Sequence, residues 1–98
     1  MKRFLVISNH KAEDCNLALK ETLAIGYLTH FDWGCKDGEH TGWAVLEAED
    51  KEQAMMSVPT FLRPQARVIR LTRFDPAKIA AIHLDPQPPR TEGEPRRG

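Results

Sequence analysis

The order in which strand-like and helix-like segments follow one another is the feature of this sequence that most constrains its fold. Residues 3–8 are short, apolar and β-branched, which is typical of a strand. Residues 11–25 then carry apolar or small side chains at the 3.6-residue period of a helix, and Gly26 ends it. The later segments are two strands, a helix, a strand and a short helix, predicted at 27–33, 42–48, 50–58, 66–74 and 77–83.

This β-α-β-β-α-β order is the ferredoxin-like arrangement, an α+β fold with a four-stranded antiparallel sheet and both main helices on one face. A chain of ninety-eight residues is long enough for one hydrophobic core, and we place the domain that contains it at residues 2–84. Residues 85–98 hold four of the seven prolines and no other apolar side chain. Such a segment buries too little surface to offset chain entropy, so we predict a disordered, proline-rich tail.

The charge balance and the lack of long apolar runs exclude several classes of protein. Fourteen basic residues balance fourteen acidic ones, so neither a nucleic-acid surface nor a polybasic membrane anchor is expected. No run approaches the roughly 20 apolar residues of a membrane span. The apolar stretch after Met1-Lys2-Arg3 is too short for a signal peptide, and two cysteines do not make a disulfide framework. We therefore expect a cytoplasmic protein without nucleic-acid or membrane partners.

The predicted sheet is apolar on both faces, although the helices cover only one of them. Small and aliphatic residues suit the covered face: Ala44, Leu46, Ala48, Ile69 and Leu71. The alternation then assigns eight larger side chains to the open face: Phe4, Val6, Tyr27, Phe31, Trp33, Trp43, Val45 and Val68. Five of these are aromatic and bury about 150–250 Å² each, which exceeds the apolar patch that a monomer exposes. We therefore predict a homodimer that packs sheet to sheet.

In element order, length and two-sided apolar strands, residues 3 to about 84 resemble the small dimeric α+β barrel proteins. Muconolactone-isomerase-like proteins and several uncharacterised small families share that arrangement. The resemblance implies a homodimer with a cavity for a small ligand between the open sheet face and the helices or loops. A filled dimer core without a cavity is the alternative. No catalytic motif is matched, so the function has to be argued from a site.

Four residues able to bind a metal occur in mirrored spacing, His10-x4-Cys15 and Cys35-x4-His40. A helical crossover makes the first two strands parallel, so their ends and the following loops lie at the same end of the sheet. Two thiolates and two imidazoles suit a tetrahedral zinc ion, or another borderline ion such as nickel. Four nearby carboxylates are candidate hydrogen-bond acceptors for the imidazoles: Glu13, Asp14, Asp37 and Glu39.

Other interpretations of these residues remain open. The x4 spacing is looser than that of a C-x2-C zinc motif, and Cys15 lies on the same helical stripe as Leu19 and Leu23. On that stripe, a cysteine acts as a small apolar side chain. In this alternative interpretation, His40 is a solvated loop residue that binds no metal. A disulfide between Cys15 and Cys35 is geometrically possible but disfavoured in a reducing compartment.

Two further residues are candidates for acid–base catalysis. His30 alternates with Asp32 on the second strand, and a histidine beside a carboxylate can act as a general base. Glu47 is predicted on the aromatic face, where apolar neighbours raise a carboxyl pKa. The alternatives are a solvated edge pair for His30 and an inter-subunit ion pair of Glu47 with Arg70. The apolar walls of such a ligand site are Phe31, Trp33 and Trp43.

The sequence therefore predicts two classes of function. One is a small dimeric binding protein that holds a transition-metal ion or a small ligand at the end of the first strand. The other is a cofactor-independent enzyme of the isomerase or oxygenase kind, with Glu47 or His30 as the base. A purely structural or subunit-interaction role is the third alternative, and the residues alone leave open whether the protein is an enzyme.

Overall fold

One open, antiparallel sheet of four strands organises the computed structural model, which describes residues 1–84. The predicted tail at 85–98 lies outside the described residues. The spatial order of the strands is β2-β3-β1-β4, and every neighbouring pair is antiparallel. The strands are β1 (Lys2–Asn9), β2 (Asp32–Trp33), β3 (Thr41–Ala48) and β4 (Arg67–Leu71). The predicted α+β class with an antiparallel four-stranded sheet is confirmed.

Three α-helices connect or follow these strands. They are α1 (Cys15–Ala24), α2 (Lys51–Met55) and α3 (Pro76–Ala80). The predicted caps of the last two are present, because the Asp50 side chain accepts a hydrogen bond from the Gln53 amide and Asp75 accepts one from Ala77. The described residues also contain four 3-10 helices, at Ala12–Asp14, Leu28–His30, Cys35–Asp37 and Thr60–Gln65.

The second strand is much shorter than the prediction of 27–33. Gly26 has φ +87° and ends α1, while the Tyr27 amide donates to the Thr22 carbonyl at 3.0 Å. The His30 amide then donates to the Tyr27 carbonyl, also at 3.0 Å. Because residues 27–30 bond to the helix end and to each other, only Asp32 and Trp33 remain to pair with β3.

One face of the sheet carries the hydrophobic core. Phe4 and Val6 of β1 are 2% and 0% exposed, and α2 and the 60–65 turn pack on this side. The buried apolar side chains are Phe4, Val6, Ala18, Phe31, Ala44, Ala48, Ala54, Val58 and Leu62. Tyr27, Trp33 and Val68 pack against this cluster. The assignment of six side chains to the open face is therefore wrong, namely Phe4, Val6, Tyr27, Phe31, Trp33 and Val68.

The other face of the sheet carries six apolar side chains, and none of the three α-helices within residues 1–84 covers it. This open face consists of Leu5, Ile7, Trp43, Val45, Ile69 and Leu71. Val45 is 53% exposed, the other five are half-buried, and α3 is exposed along its length. Trp43 and Val45 lie where the alternation predicts them, but Ile69 and Leu71 do not. Because β1 is apolar at every position from Phe4 to Ile7, its sequence did not determine which side faces the helices.

Within residues 1–84, each helix is too short or too polar to cross a lipid bilayer.

Candidate metal centre

The structure brings His10, Cys15, Cys35 and His40 together at one end of the sheet. Each offers a nitrogen or sulfur ligand atom, and these atoms all lie within 4.8 Å of one another. The residues come from four different places: the end of β1, the start of α1, the turn after β2 and the loop before β3. The cluster is therefore built by the tertiary fold and joins segments that are 30 residues apart in sequence.

The two histidines meet because they extend the pairing of β1 with β3. Asn9 is the last residue of β1 to pair, and its partner is Thr41. One step further, the His10 amide donates a hydrogen bond to the His40 carbonyl at 3.0 Å. Residues opposite each other in an antiparallel ladder project from the same face. The two imidazole rings consequently lie edge to face, with their centroids 5.6 Å apart.

A tightly bonded loop places Cys35 beside the histidines. The Gly34 amide donates to the Thr41 carbonyl at 3.0 Å, and the Glu39 amide donates back to the Gly34 carbonyl at the same distance. Gly38 has φ +81°, a conformation that favours glycine, and this allows the loop to reverse. The Sγ atom of Cys35 lies 3.4 Å from Nε2 of His10.

Cys15 completes the cluster from the first turn of α1. The 3-10 turn at Ala12–Asp14 leads from β1 into the helix, and the Asp14 amide donates to the Lys11 carbonyl at 2.9 Å. Burial raises the pKa of the Cys35 thiol, and the neighbouring Cys15 thiol raises it further, against a smaller opposite effect of the backbone. Both cysteines are free and half-buried. A metal ion at this position would stabilise both as thiolates.

His10 is the most buried member of the cluster, at 6% exposed. Burial lowers its pKa, the neighbouring His40 lowers it further, and Asp14 opposes both effects. The lowered pKa favours the neutral imidazole, which is the form that binds metals.

The Nδ1 atoms of His10 and His40 are both buried without a hydrogen-bond partner in the described part of the chain. The expectation that nearby carboxylates accept from the imidazoles is therefore wrong for these two atoms. Glu39 instead lies 3.3 Å from the hydroxyl of Thr41, which donates to Asn9 at 2.9 Å. Buried polar atoms without a partner are rare in folded proteins, and an ion satisfies such an atom only where that atom is the ligand. His10 faces Cys35 through Nε2, so an ion bound there leaves the Nδ1 atom of His10 without a partner.

Trp33 was predicted as an apolar wall of a separate ligand site, and it lies instead beside this cluster. Its ring centroid lies 6.1 Å from that of His10, and its indole nitrogen donates to the Leu28 carbonyl at 3.4 Å. Trp33 pairs with Gly42, where an added Cβ atom would come within 2.8 Å of the indole ring. The glycine opposite the tryptophan is the signal in the sequence that predicts this close approach.

The donor set and the shortest known ligand distance agree with a tetrahedral ion, although ligand atoms up to 4.8 Å apart would have to move closer together around it. With Zn–S at about 2.3 Å and Zn–N at about 2.0 Å, the sulfur and nitrogen ligands of one zinc ion lie about 3.5 Å apart. The 3.4 Å between Cys35 and His10 is close to this edge of a tetrahedron. Two sulfurs with two nitrogens are typical of zinc, whereas nickel(II) also adopts square-planar geometry.

The predicted acid–base residues lie elsewhere, at the edge of β3 that the short β2 leaves free. His30 and Glu47 are both exposed and line one cavity of about 460 Å³ together with Tyr27, whose ring is 5.0 Å from that of His30. Glu47 pairs with Arg3 on the open face. Arg70 pairs with Phe4 and therefore lies on the core side of the sheet. The expectation that Arg70 shares a face with Glu47 and forms an ion pair with it between subunits is therefore wrong.

The three predicted aromatic walls do not face one cavity. Phe31 and Trp33 are on the core side, with ring centroids 5.4 Å apart. Trp43 projects from the open face and lines a separate cavity of about 320 Å³ with His30 and Asp32.

Comparison with protein-family models, with curated proteins and with solved structures gave no match.

Proposed function

We propose that this protein binds one transition-metal ion per chain through His10, Cys15, Cys35 and His40, and that the ion is zinc. The observation that carries the proposal is the convergence of four ligand atoms within 4.8 Å, from four separate segments. Two of the residues are cysteines and two are histidines, a complete ligand set for structural zinc. The lowered pKa of His10, which favours the neutral imidazole that binds metals, supports the same conclusion.

The role that fits this geometry is structural. Four protein ligands leave no position for a substrate, and catalytic zinc sites keep one position open. The ion would connect the end of β1 and the start of α1 to the loop between β2 and β3. The core of this domain is small, with four alanines among its nine buried apolar residues. Small domains with little core gain much of their stability from a metal or another cross-link.

Elemental analysis of protein purified without chelators tests the proposal. We expect about one zinc per chain, and the loss of nearly all of it in Cys35→Ser. The matched control is His83→Ala, which removes an exposed metal-binding side chain outside the cluster. Titration with nickel and zinc then establishes which ion the site prefers. Protein that contains no metal and binds neither ion on titration would contradict the proposal.

The proposal includes the finer classification of the fold and the location of the protein. The strand order β2-β3-β1-β4, with a helical connection from β1 to β2 and from β3 to β4, supports a ferredoxin-like arrangement. A reducing, cytoplasmic location is consistent with two adjacent free thiols. We also propose a relationship to muconolactone-isomerase-like dimeric barrels, for which this architecture is the only support.

A cofactor-independent enzyme is the second candidate function, and one observation favours it. His30 and Glu47, the two candidate bases, line the same cavity beside Tyr27. An enzyme that uses this site would need the cavity to be closed in the assembled protein, because water has to be excluded from the base. A crystal structure of the assembled protein tests this. A closed cavity containing both side chains supports the enzyme, and a site open to solvent excludes it.

A further inference from the structure

The open face combines an apolar centre with an ordered arrangement of charges. We call residues that pair side by side across neighbouring strands a row. Trp43 of β3 and Ile7 of β1 share one row, and Val45 and Leu5 share another, two residues further along. Ile69 of β4 pairs with Leu5 and extends the apolar centre to the edge of the sheet. In the part of the chain that the structure describes, nothing covers these side chains, and Val45 is 53% exposed.

Acidic and basic side chains flank this centre on opposite sides. Asp32 of β2 pairs with Trp43, and Glu47 lies further along β3, so the acids occupy the β2–β3 side. Arg67 of β4 pairs with Ile7, and Arg3 of β1 pairs with both Glu47 and Leu71, so the bases occupy the β1–β4 side. Asp32 and Arg67 belong to the same row, as do Glu47 and Arg3.

We propose that the open face binds a second copy of this chain about a twofold axis that runs parallel to the strands, between β1 and β3. Such a rotation places the β2 side of one sheet over the β4 side of the other. Each row keeps its position along the strand direction, so it faces the same row of the partner. Asp32 then faces the partner's Arg67, and Glu47 faces the partner's Arg3. Each pair occurs twice, because the interface of a twofold dimer is made by the same surface of both copies.

The charge arrangement selects this axis over the alternative. A twofold axis perpendicular to the strands would place the acidic side over the acidic side and the basic side over the basic side. Like charges opposed in an interface are unfavourable, whereas opposite ones favour association. Two packed sheets lie about 10 Å apart and about 30° from parallel, and the long arginine side chains can span the resulting offset at the edges. The apolar centre supplies the contact area, and the charges fix the orientation.

This interface does not involve the metal centre, which lies beyond the last paired row of β1 and β3 and on the core side. The dimer and the proposed metal site are therefore tested independently.

The first test is the molecular mass in solution, measured by sedimentation for the wild type, Val45→Glu and Met56→Glu. We expect the wild type and Met56→Glu to be dimers and Val45→Glu to be a monomer, since Met56 is equally exposed, at 57%, but lies at the end of α2. A monomeric wild type at every concentration overturns the proposal.

The second test uses charge reversal at Asp32 and Arg67. These residues lie on opposite edges of one sheet, about 14 Å apart at three strand spacings, so they do not interact within a chain. Asp32→Arg and Arg67→Asp should each weaken self-association about tenfold or more, because each opposes like charges twice. Mixing the two variants should restore dimers of one chain of each kind. Each variant must keep the circular dichroism spectrum and metal content of the wild type. Single variants that still dimerise, or a mixture that does not associate, overturn the proposed orientation.

Discussion

His10 and His40 lie opposite each other at the end of the β1–β3 ladder, joined by a backbone hydrogen bond of 3.0 Å. This relationship explains why two imidazoles 30 residues apart in sequence reach one position. The register of the ladder fixes the pair, and the two cysteines approach from a helix start and a loop turn on either side. The candidate metal centre therefore depends on the sheet for half of its ligands and on local turns for the other half.

Replacement of one histidine tests whether the imidazoles are ligands. His40→Ala leaves three ligands, and the loss of one ligand should weaken zinc binding about 100-fold or more. His83→Ala is the control and should leave the affinity unchanged, because His83 is exposed and lies outside the cluster. Competition with a zinc-binding dye measures both affinities. Equal affinities for His40→Ala and the control would show that His40 is not a ligand.

Removal of the metal should destabilise the folded protein. Zinc present at about 1,000 times its dissociation constant adds about 4 kcal/mol to the free energy of unfolding. For a domain of this size, that corresponds to a fall in Tm of about 15 °C or more on chelation. The measurement is thermal unfolding with and without EDTA, with Cys35→Ser as the control, whose Tm should not respond to EDTA. A wild-type Tm that is also unaffected by EDTA would contradict a structural role for the metal.

The metal-free protein should lose stability at both ends of the neutral pH range. The folded-state pKa of His10 lies below its ordinary value of 6.5, so the unfolded chain binds a proton first and stability falls as the pH drops below that value. The folded-state pKa of Cys35 lies above its ordinary value of 9.0, so the unfolded chain loses a proton first and stability falls as the pH rises above that value.

Zinc changes the alkaline half of this profile. In the metal-bound protein, Cys35 is already a thiolate in the folded state, so the loss of stability above pH 9.0 should disappear. The loss below pH 6.5 should become steeper, because protons compete with the metal for His10. Chemical unfolding across pH with and without zinc measures both effects. An equal loss of stability at alkaline pH with and without zinc would show that Cys35 is not bound to the metal.

The close approach of Trp33 to Gly42 gives a prediction about packing beside the metal centre. Gly42→Ala places a Cβ atom 2.8 Å from the indole ring, and overpacking of this kind costs about 1–3 kcal/mol. The indole also lies against His10, so zinc affinity should fall as well. In a Trp33→Phe background the same substitution should cost less, because the smaller ring leaves room. Equal costs in the two backgrounds, measured by chemical unfolding, would contradict this contact.

The sequence was sufficient to predict the order of the elements and the composition of the cluster. Segments with a clear period or cap were found near their observed positions, as with the helix begun by Asp50 and the one ended by Gly26. The four residues of the cluster could be predicted to meet because parallel first and second strands place their ends together. That argument needs only topology, and it tolerates errors of several residues in each boundary.

The faces of the sheet could not be predicted in the same way. A shift of one residue moves a side chain to the opposite face, and β1 is apolar on both sides from Phe4 to Ile7. The sequence therefore gives no local preference for one side, and small residues such as Ala44 fit either. The prediction placed Phe31 and Trp33 on the open face, but Trp33 pairs with Gly42 and Asp32 pairs with Trp43, so it is Asp32 that shares the open face. Tertiary packing decides both outcomes.

X-ray absorption at the zinc edge tests the central claim most directly, because it reports the atoms around the metal in the intact protein. The account predicts a first shell of about two sulfurs at about 2.3 Å and about two nitrogens at about 2.0 Å per zinc ion. A first shell that contains only oxygen and nitrogen would show that the cysteines are not ligands and would contradict the proposed centre.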